Sequence, residues 1–294
     1  MKQSVITIGN FDGVHLGHQA ILNKVVDVAG KENLKSIVVS FDSVINKTDV
    51  LLTTEQEKID LLNSFSIDEI LILKVSKKLV STSADDFFEK FLVKKLNVKH
   101  IVVGYDAAFG KNREGNISWL KKKVKEKNIK LDIVKPVKIN NIIVSSSKIR
   151  DLIIKNKIDL ANKMLGRFFE INGKHISGNK IGRTIGFPTI NVETDKFKLL
   201  PKGVFGCLLI DKNNNSFFGL LNIGLRPTFK LKKSILSTEV HLLNFKGVWK
   251  QKNIKLLILK FIRKEKSFSS VDLLIKNIKR DIDEFKAQLN YCIL

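Results

Sequence analysis

The stretch "TIGNFDGVHLGHQAIL", Thr7 to Leu22, decides how this chain is read. The preceding apolar run SVITIG has the β-branched make-up of a buried strand, and a helical pattern begins near Leu16, so a strand hands over to a helix across a glycine-rich turn. Gly9, Gly13 and Gly17 punctuate that turn. His15 and His18 stand three residues apart where the helix opens, which puts their side chains on one face. The N–H groups of such a turn and the positive end of the helix dipole point the same way, so the spacing predicts an anion site in which two imidazoles donate to phosphate oxygens. Ordinary surface histidines or helix caps are the alternative that the pair alone leaves open.

Outward from this turn, strand-like and helix-like stretches alternate as far as Leu165. SIVVSF, EILIL and HIVVG read as further strands, with HQAILNKVVDVA, TTEQEKIDLLNSF, ADDFFEKFLVKKL and ISWLKKKVKEK as helices. That alternation predicts a parallel sheet covered by helices, with ligands at the carboxyl ends of the strands. Thr54 followed by Glu57 predicts a capping box. After Gly166 the pattern changes: FFEINGKHI, VFGCLLI, FFGLLNIG, TEVHLLNF and IKLLILKFI follow one another through turn-rich pieces with no helix between them. An antiparallel barrel or sandwich is expected. Val271, Leu274, Ile275, Ile278, Ile282, Phe285 and Leu289 then fall on one face of a closing helix laid on the barrel. The expected division is 1–165 and 166–294, an α/β domain followed by a β domain.

The 294 residues can form two domains, and 44% hydrophobic content supplies their cores. A net charge of +23 invites a nucleic-acid reading. The lysines, however, are spread along the chain rather than gathered in a patch, which reads as a generally basic surface attractive to anionic substrates. Cys207 and Cys292 are too few for a disulfide framework and lack metal-site spacing. Without a signal-like or membrane-spanning apolar stretch, the expectation is a cytoplasmic protein with no membrane partner.

The order GNFDGVHLGH resembles the H-x-G-H signature of nucleotidyltransferases, in the G-x-F-D-G form found in bacterial bifunctional riboflavin kinase/FMN adenylyltransferases. SSSKIR, Ser145 to Arg150, is similar to that family's S-S-T-x-I-R motif. The resemblance implies a Rossmann-like nucleotidyltransferase domain whose turn, with Gly9, Phe11, Gly13 and Gly17, binds ATP. It assigns His15 and His18 to the ATP phosphates, Ser145, Ser146, Ser147 and Arg150 to the other side of the triphosphate, and Asp106 and Phe109 of GYDAAFG to the flavin region. Adenylyl transfer suits these residue types: the nucleophile is already an anionic phosphate, so rigid positive donors matter more than a base. The chain departs from the family at Ala107, at SFDSVINK after the second strand, and at Asn156-Lys157.

GRTIGFPTINV, Gly182 to Val192, resembles the riboflavin kinase signature G-R-x-x-G-x-P-T-x-N, and the likeness runs on through LPKGVFG, LNIGLRPTF, TEVHLLNF and FIRKEKSF. Taken alone, GRTIGFPTINV is a turn and an edge strand. Phosphorylating riboflavin uses a neutral hydroxyl, so a group must accept its proton. The resemblance gives that role to Glu239, gives Mg2+ and the ATP phosphates to Thr189 and Asn191 with Gly182 in the same motif, and puts Arg226 and Trp249 beside the flavin; His241 is left structural. A departure follows at VWK, Val248 to Lys250. The expected function is bifunctional: riboflavin and ATP to FMN in a riboflavin kinase barrel, then FMN and ATP to FAD. Two alternatives stay open here, a riboflavin kinase whose adenylyl site has decayed and a basic nucleic-acid-binding protein.

Overall fold

The computed structural model describes residues 2–42, 50–178, 181–226 and 235–292. The chain divides into two compact units, Met1–Ser146 and Ser147–Leu294. In the first unit, β1 (Ser4–Ile8), α1 (Leu16–Glu32), β2 (Lys35–Phe41), α2 (Glu55–Asn63) and β3 (Glu69–Leu73) follow in turn. Next come α3, which opens at Ala84–Asp86 and widens into π-helical turns over Phe87–Lys95, then β4 (Val98–Gly104), α4 (Ile117–Glu126) and β5 (Lys130–Val134). The five strands pair parallel in the order β3-β2-β1-β4-β5. Val5, Ile6, Val38, Val39, Ile101 and Val102 are fully buried, as expected of strands covered on both faces. Strand order reverses between β1 and β4, so the crevice beyond their carboxyl ends is where a ligand is expected.

The capping box of α2 forms as read: Glu57 N donates to Thr54 Oγ1 at 3.3 Å and Thr54 N to Glu57 Oε2 at 2.8 Å. The fifth strand, KLDIV, was not anticipated; it is short and begins on an exposed lysine, and only its pairing with β4 makes it a strand. Most of SFDSVINK, residues 43–47, lies outside the described residues.

The second unit holds α5 (Ser146–Ile154, whose first residue closes the first unit), α6 (Ile158–Leu165) and six strands. These are β6 (Phe169–Ile176), β7 (Ile190–Thr194), β8 (Gly203–Ile210), β9 (Ser216–Arg226), β10 (Ile235–Leu242) and β11 (Asn253–Arg263). They close a barrel in the order β6-β7-β10-β9-β8-β11, which decides for the barrel over the sandwich. Asn162 pins α6 to it, donating to Ile258 O at 3.0 Å and accepting from Phe169 N at 2.8 Å. That attachment explains why residues after Ser146 cluster with the barrel.

Two expectations need correction. The barrel strands are not free of helix, because α7 (Ile181–Thr184) sits between β6 and β7: Gly182 O accepts from Phe187 N at 2.7 Å and the G-R-x-x-G segment winds up on itself. Val271, placed on the buried face of the terminal helix, is 56% exposed, since α8 (Val271–Cys292) meets the barrel mainly through its later turns. There Phe285 is buried with Val204, Leu220 and Ile262, and Ile282 and Leu289 pack beside it. Among the described residues no helix is long and apolar enough to cross a membrane.

Candidate active sites

In the first unit the turn between β1 and α1 is strained and held from several sides. Phe11 (φ 52°) and Val14 (φ 36°) both adopt left-handed backbone, uncommon for any side chain and an outlier for a β-branched one. Such strain persists only where the surroundings over-determine it. Here the buried Asp12 carboxylate accepts from Leu52 N (3.2 Å), Thr53 N (3.0 Å) and Thr53 Oγ1 (3.2 Å), while Gly13 N donates to Thr53 Oγ1 at 3.0 Å. Gln19 Nε2 donates to Val14 O at 2.9 Å. Asp12 and Thr53 lie 41 positions apart, so no local spacing announces this contact.

His15 is the N-cap of α1: its Nδ1 accepts from His18 N at 3.3 Å, so neutral His15 carries its proton on Nε2. The two imidazoles stack 3.6 Å apart at 15°, and Phe11 meets His18 edge-on at 5.1 Å. The SSSKIR motif reaches this turn through Ser146, whose Oγ donates to Asp12 O at 2.8 Å. The Ser146 hydroxyl proton is therefore committed to the backbone. Ser145 is half-buried before α5, and that helix carries the exposed Ser147 and the half-buried Arg150.

A cleft of about 330 Å³ belongs to the second unit, and one of about 440 Å³ opens in the first beside Gly9, Asn10, Phe41, Val103 and Phe109. In the latter, Phe109 stands against Phe87 and Trp119, each 5.6 Å away. Ala107 and Arg113 also line it, and Arg113 was not singled out in the sequence; Asp106 is exposed and does not line it. The cleft has largely apolar walls and reaches Gly9 and Asn10 at the start of the turn that carries the histidines. Asn156, where the family has glycine, takes the left-handed conformation (φ 57°) just past α5 and donates to Lys202 O at 3.0 Å. Asparagine tolerates that conformation, so it ends the helix as glycine would.

In the second unit Glu239 sits on β10 opposite Asn191 of β7 and Asn222 of β9. Thr189 Oγ1 donates to Glu239 Oε2 at 3.4 Å. The 330 Å³ cleft is lined by Glu239, Thr189, Asn222, Arg263, Leu274 and Asp281, among others. A second cleft of about 170 Å³ is lined by Asn191, Gly178, Phe245, Trp249 and again Thr189. Thr189 is thus the shared wall, with the carboxylate on one side and the Asn191 amide on the other. Trp249 is buried among Phe217 and Phe245 with Nε1 donating to Gln251 O at 3.0 Å, so it flanks the smaller cleft and not that of Glu239. His241 Nδ1 lies 2.9 Å from Pro188 O, its ring meets Phe187, and it lines the 330 Å³ cleft with Glu239. The side chain of Arg226 lies outside the described residues.

Two glycines in this site are closely approached, Gly182 by backbone and Gly178 by a side chain. A Cβ at Gly182 would overlap Phe187 O and press on Thr189 Oγ1, and a Cβ at Gly178 would overlap the Asn191 amide. Cys207, fully buried in the barrel, has its thiol pushed up by burial and is chemically quiet.

Comparison with known proteins bears on both sites. A family model for FAD synthetase matches residues 1–148 and one for riboflavin kinase matches residues 165–289. The bifunctional riboflavin kinase/FMN adenylyltransferase of Buchnera aphidicola subsp. Schizaphis graminum is 40% identical over 98% of this chain and 95% of its own length. The protein of that description from Escherichia coli (strain K12) is 34% identical over 94% and 90%. A crystal structure described as a macrolide-efflux protein from Streptococcus pneumoniae superposes with a TM-score of 0.87 at 26% identity, covering 97% of this chain and 94% of that one.

Proposed function

The chain belongs to the family of bifunctional riboflavin kinase/FMN adenylyltransferases, and from that premise we propose which of its residues carry each step. It phosphorylates riboflavin with ATP to FMN and adenylylates FMN with ATP to FAD; its substrates are riboflavin, FMN and ATP.

In the kinase step Glu239 takes the proton of the riboflavin hydroxyl as that oxygen attacks the γ-phosphorus; the bond to the bridging oxygen breaks and ADP leaves. The observation that carries this reading is the Glu239 carboxylate 3.4 Å from Thr189 Oγ1, on the wall between two clefts. The flavin occupies the larger cleft, where Gly182 lies close to Thr189, and ATP the smaller, which Thr189, Asn191 and Trp249 line. Arg226 is assigned to the flavin by resemblance. The Thr189 hydroxyl and Asn191 amide oxygen are hard, neutral donors that fit Mg2+, which keeps waters and substrate phosphates as its other ligands. Bound there, the ion would offset phosphate charge.

In the adenylyl step a phosphate oxygen of FMN attacks the α-phosphorus of ATP, the bond to the β-phosphate oxygen breaks and pyrophosphate departs. His15, His18 and the turn from Gly9 through Phe11 and Gly13 to Gly17 hold the phosphates, with Ser145, Ser147 and Arg150 assigned to the same triphosphate by resemblance; Ser146 secures the turn. The flavin ring lies against Phe109, and the exposed Asp106 serves the rim. The division of labour runs at 165/166, and the compartment is the cytoplasm. Incubating the purified chain with ATP, Mg2+ and riboflavin or FMN, then resolving flavins over time, tests this: riboflavin passing through FMN to FAD is expected. FMN accumulating without FAD would overturn the role given to the β1–α1 turn.

A further inference from the structure

Lys58, on α2, is 1% exposed, an expensive place for an ammonium. Its Nζ donates to Asn10 O at 3.2 Å and to Phe41 O at 2.5 Å. Asn10 is in the turn that follows β1, and Phe41 ends β2; Ser40 Oγ also donates to Asn10 O, at 3.1 Å. The residues just before α2, Leu52 and Thr53, grip Asp12 of the same turn. So α2 and its leading segment hold the turn at two points, on either side of the left-handed Phe11. A neutral donor would be enough to bind a carbonyl. A buried charge behind the turn does more, because it favours an anion in front of it.

We propose that Lys58 is a positioning residue for adenylyl transfer, fixing the Asn10 and Phe41 carbonyls so that the turn keeps the shape, and the field, that receive the ATP phosphates. The inference rests on the reading of the β1–α1 turn as the ATP site. Burial lowers the Lys58 pKa to about 8, against the pull of Asp12 in the turn, Glu55 on its own helix and Asp42 after β2, each of which favours the charged form. The ammonium that the geometry uses is therefore given up at mildly alkaline pH.

The test uses the full chain, whose riboflavin kinase step is an internal measure of intact protein. Lys58→Met should lower kcat for FMN adenylylation about tenfold or more while riboflavin phosphorylation stays within about twofold, and Lys58→Arg should recover most of the loss. Independently of any variant, the ratio of wild-type adenylylation to phosphorylation should fall as pH rises through about 8. In Lys58→Arg that alkaline limb should disappear, because a guanidinium keeps its proton. Unchanged adenylylation in Lys58→Met, equal loss of both steps, or an alkaline limb that persists in Lys58→Arg would each overturn the proposal. Failure of the ATP-site reading is distinct: the wild-type chain would then make FMN and no FAD at any pH.

Discussion

Thr189, just before β7, and Glu239, on β10, bring Oγ1 and Oε2 to 3.4 Å, a contact set by the pairing of Asn191 with Glu239 between β7 and β10. A carboxylate so held can receive a proton while the hydroxyl beside it faces a nucleotide. Glu239→Gln keeps the shape and removes the proton acceptor. FMN formation from riboflavin should fall by about 10² to 10⁴-fold, with FAD formation from added FMN unchanged. Loss of both steps in a folded variant would mean that the two activities do not have separate machinery.

His18→Ala should produce the opposite pattern. Its ring stacks on that of His15, whose Nδ1 caps α1. FAD formation should drop by about 10² to 10³-fold, the scale for losing one preorganised donor at a transition state. Riboflavin phosphorylation should be untouched. His15→Ala should add a loss of stability of about 1 kcal/mol through the cap, read as a lower Tm.

Much of this was legible in one sequence because local pattern carries it. The β-branched runs became strands, Thr54 and Glu57 closed their capping box, and the three-residue spacing of the histidines put their rings in contact. What was not legible depends on residues far apart: Asp12 with Thr53, Ser146 with Asp12, Arg263 with Asp281. Lys58 left one local trace, standing four residues before the buried Leu62 and so on the inward face of α2. The placing of Trp249 beside the smaller cleft could not be read from an aromatic residue in a turn, because its direction is set by Phe217 and Phe245.

Asp68 should contribute to the acid sensitivity of the first unit. Its carboxylate accepts from Ser36 N at 2.8 Å and Ser36 Oγ at 2.7 Å, and these bonds, backbone first, hold its pKa below the ordinary 3.8. A depressed carboxylate stabilises the fold above its unfolded value, and that stability is lost as pH falls through the lower folded value. Tm measured from pH 6 downward should therefore decline more steeply below about pH 4 in the wild type than in Asp68→Asn. Parallel curves would remove Asp68 from the account.

Gly178→Ala tests the seat of Asn191. The added Cβ would overlap the Asn191 side-chain amide, which would have to turn away from its present place. If that amide oxygen is a metal donor, the Mg2+ concentration needed for half-maximal riboflavin phosphorylation should rise by about 10- to 100-fold, as when the orientation of a ligand is lost. FAD formation from added FMN serves as the control and should not change. An unaltered Mg2+ requirement would take Asn191 out of the metal site.

The pair Arg263 and Asp281 ties the terminal helix to the barrel beside Glu239. Nε lies 2.9 Å from both carboxylate oxygens and Nη2 lies 2.8 Å from Oδ2, with Asp281 almost wholly buried. Removing one member leaves an uncompensated buried charge, so Asp281→Ala should cost about 3–5 kcal/mol in stability. Replacing both by apolar residues of similar volume, Arg263→Met with Asp281→Leu, should restore much of that, because the desolvation of both charges is avoided. Kinase activity separates the two roles of the pair. Both residues line the cleft assigned to the flavin, so the stable double variant should still show a raised KM for riboflavin with FAD formation from FMN intact. A double variant with wild-type KM would mean that the pair only fastens the helix, and that the flavin is recognised by other walls of the cleft.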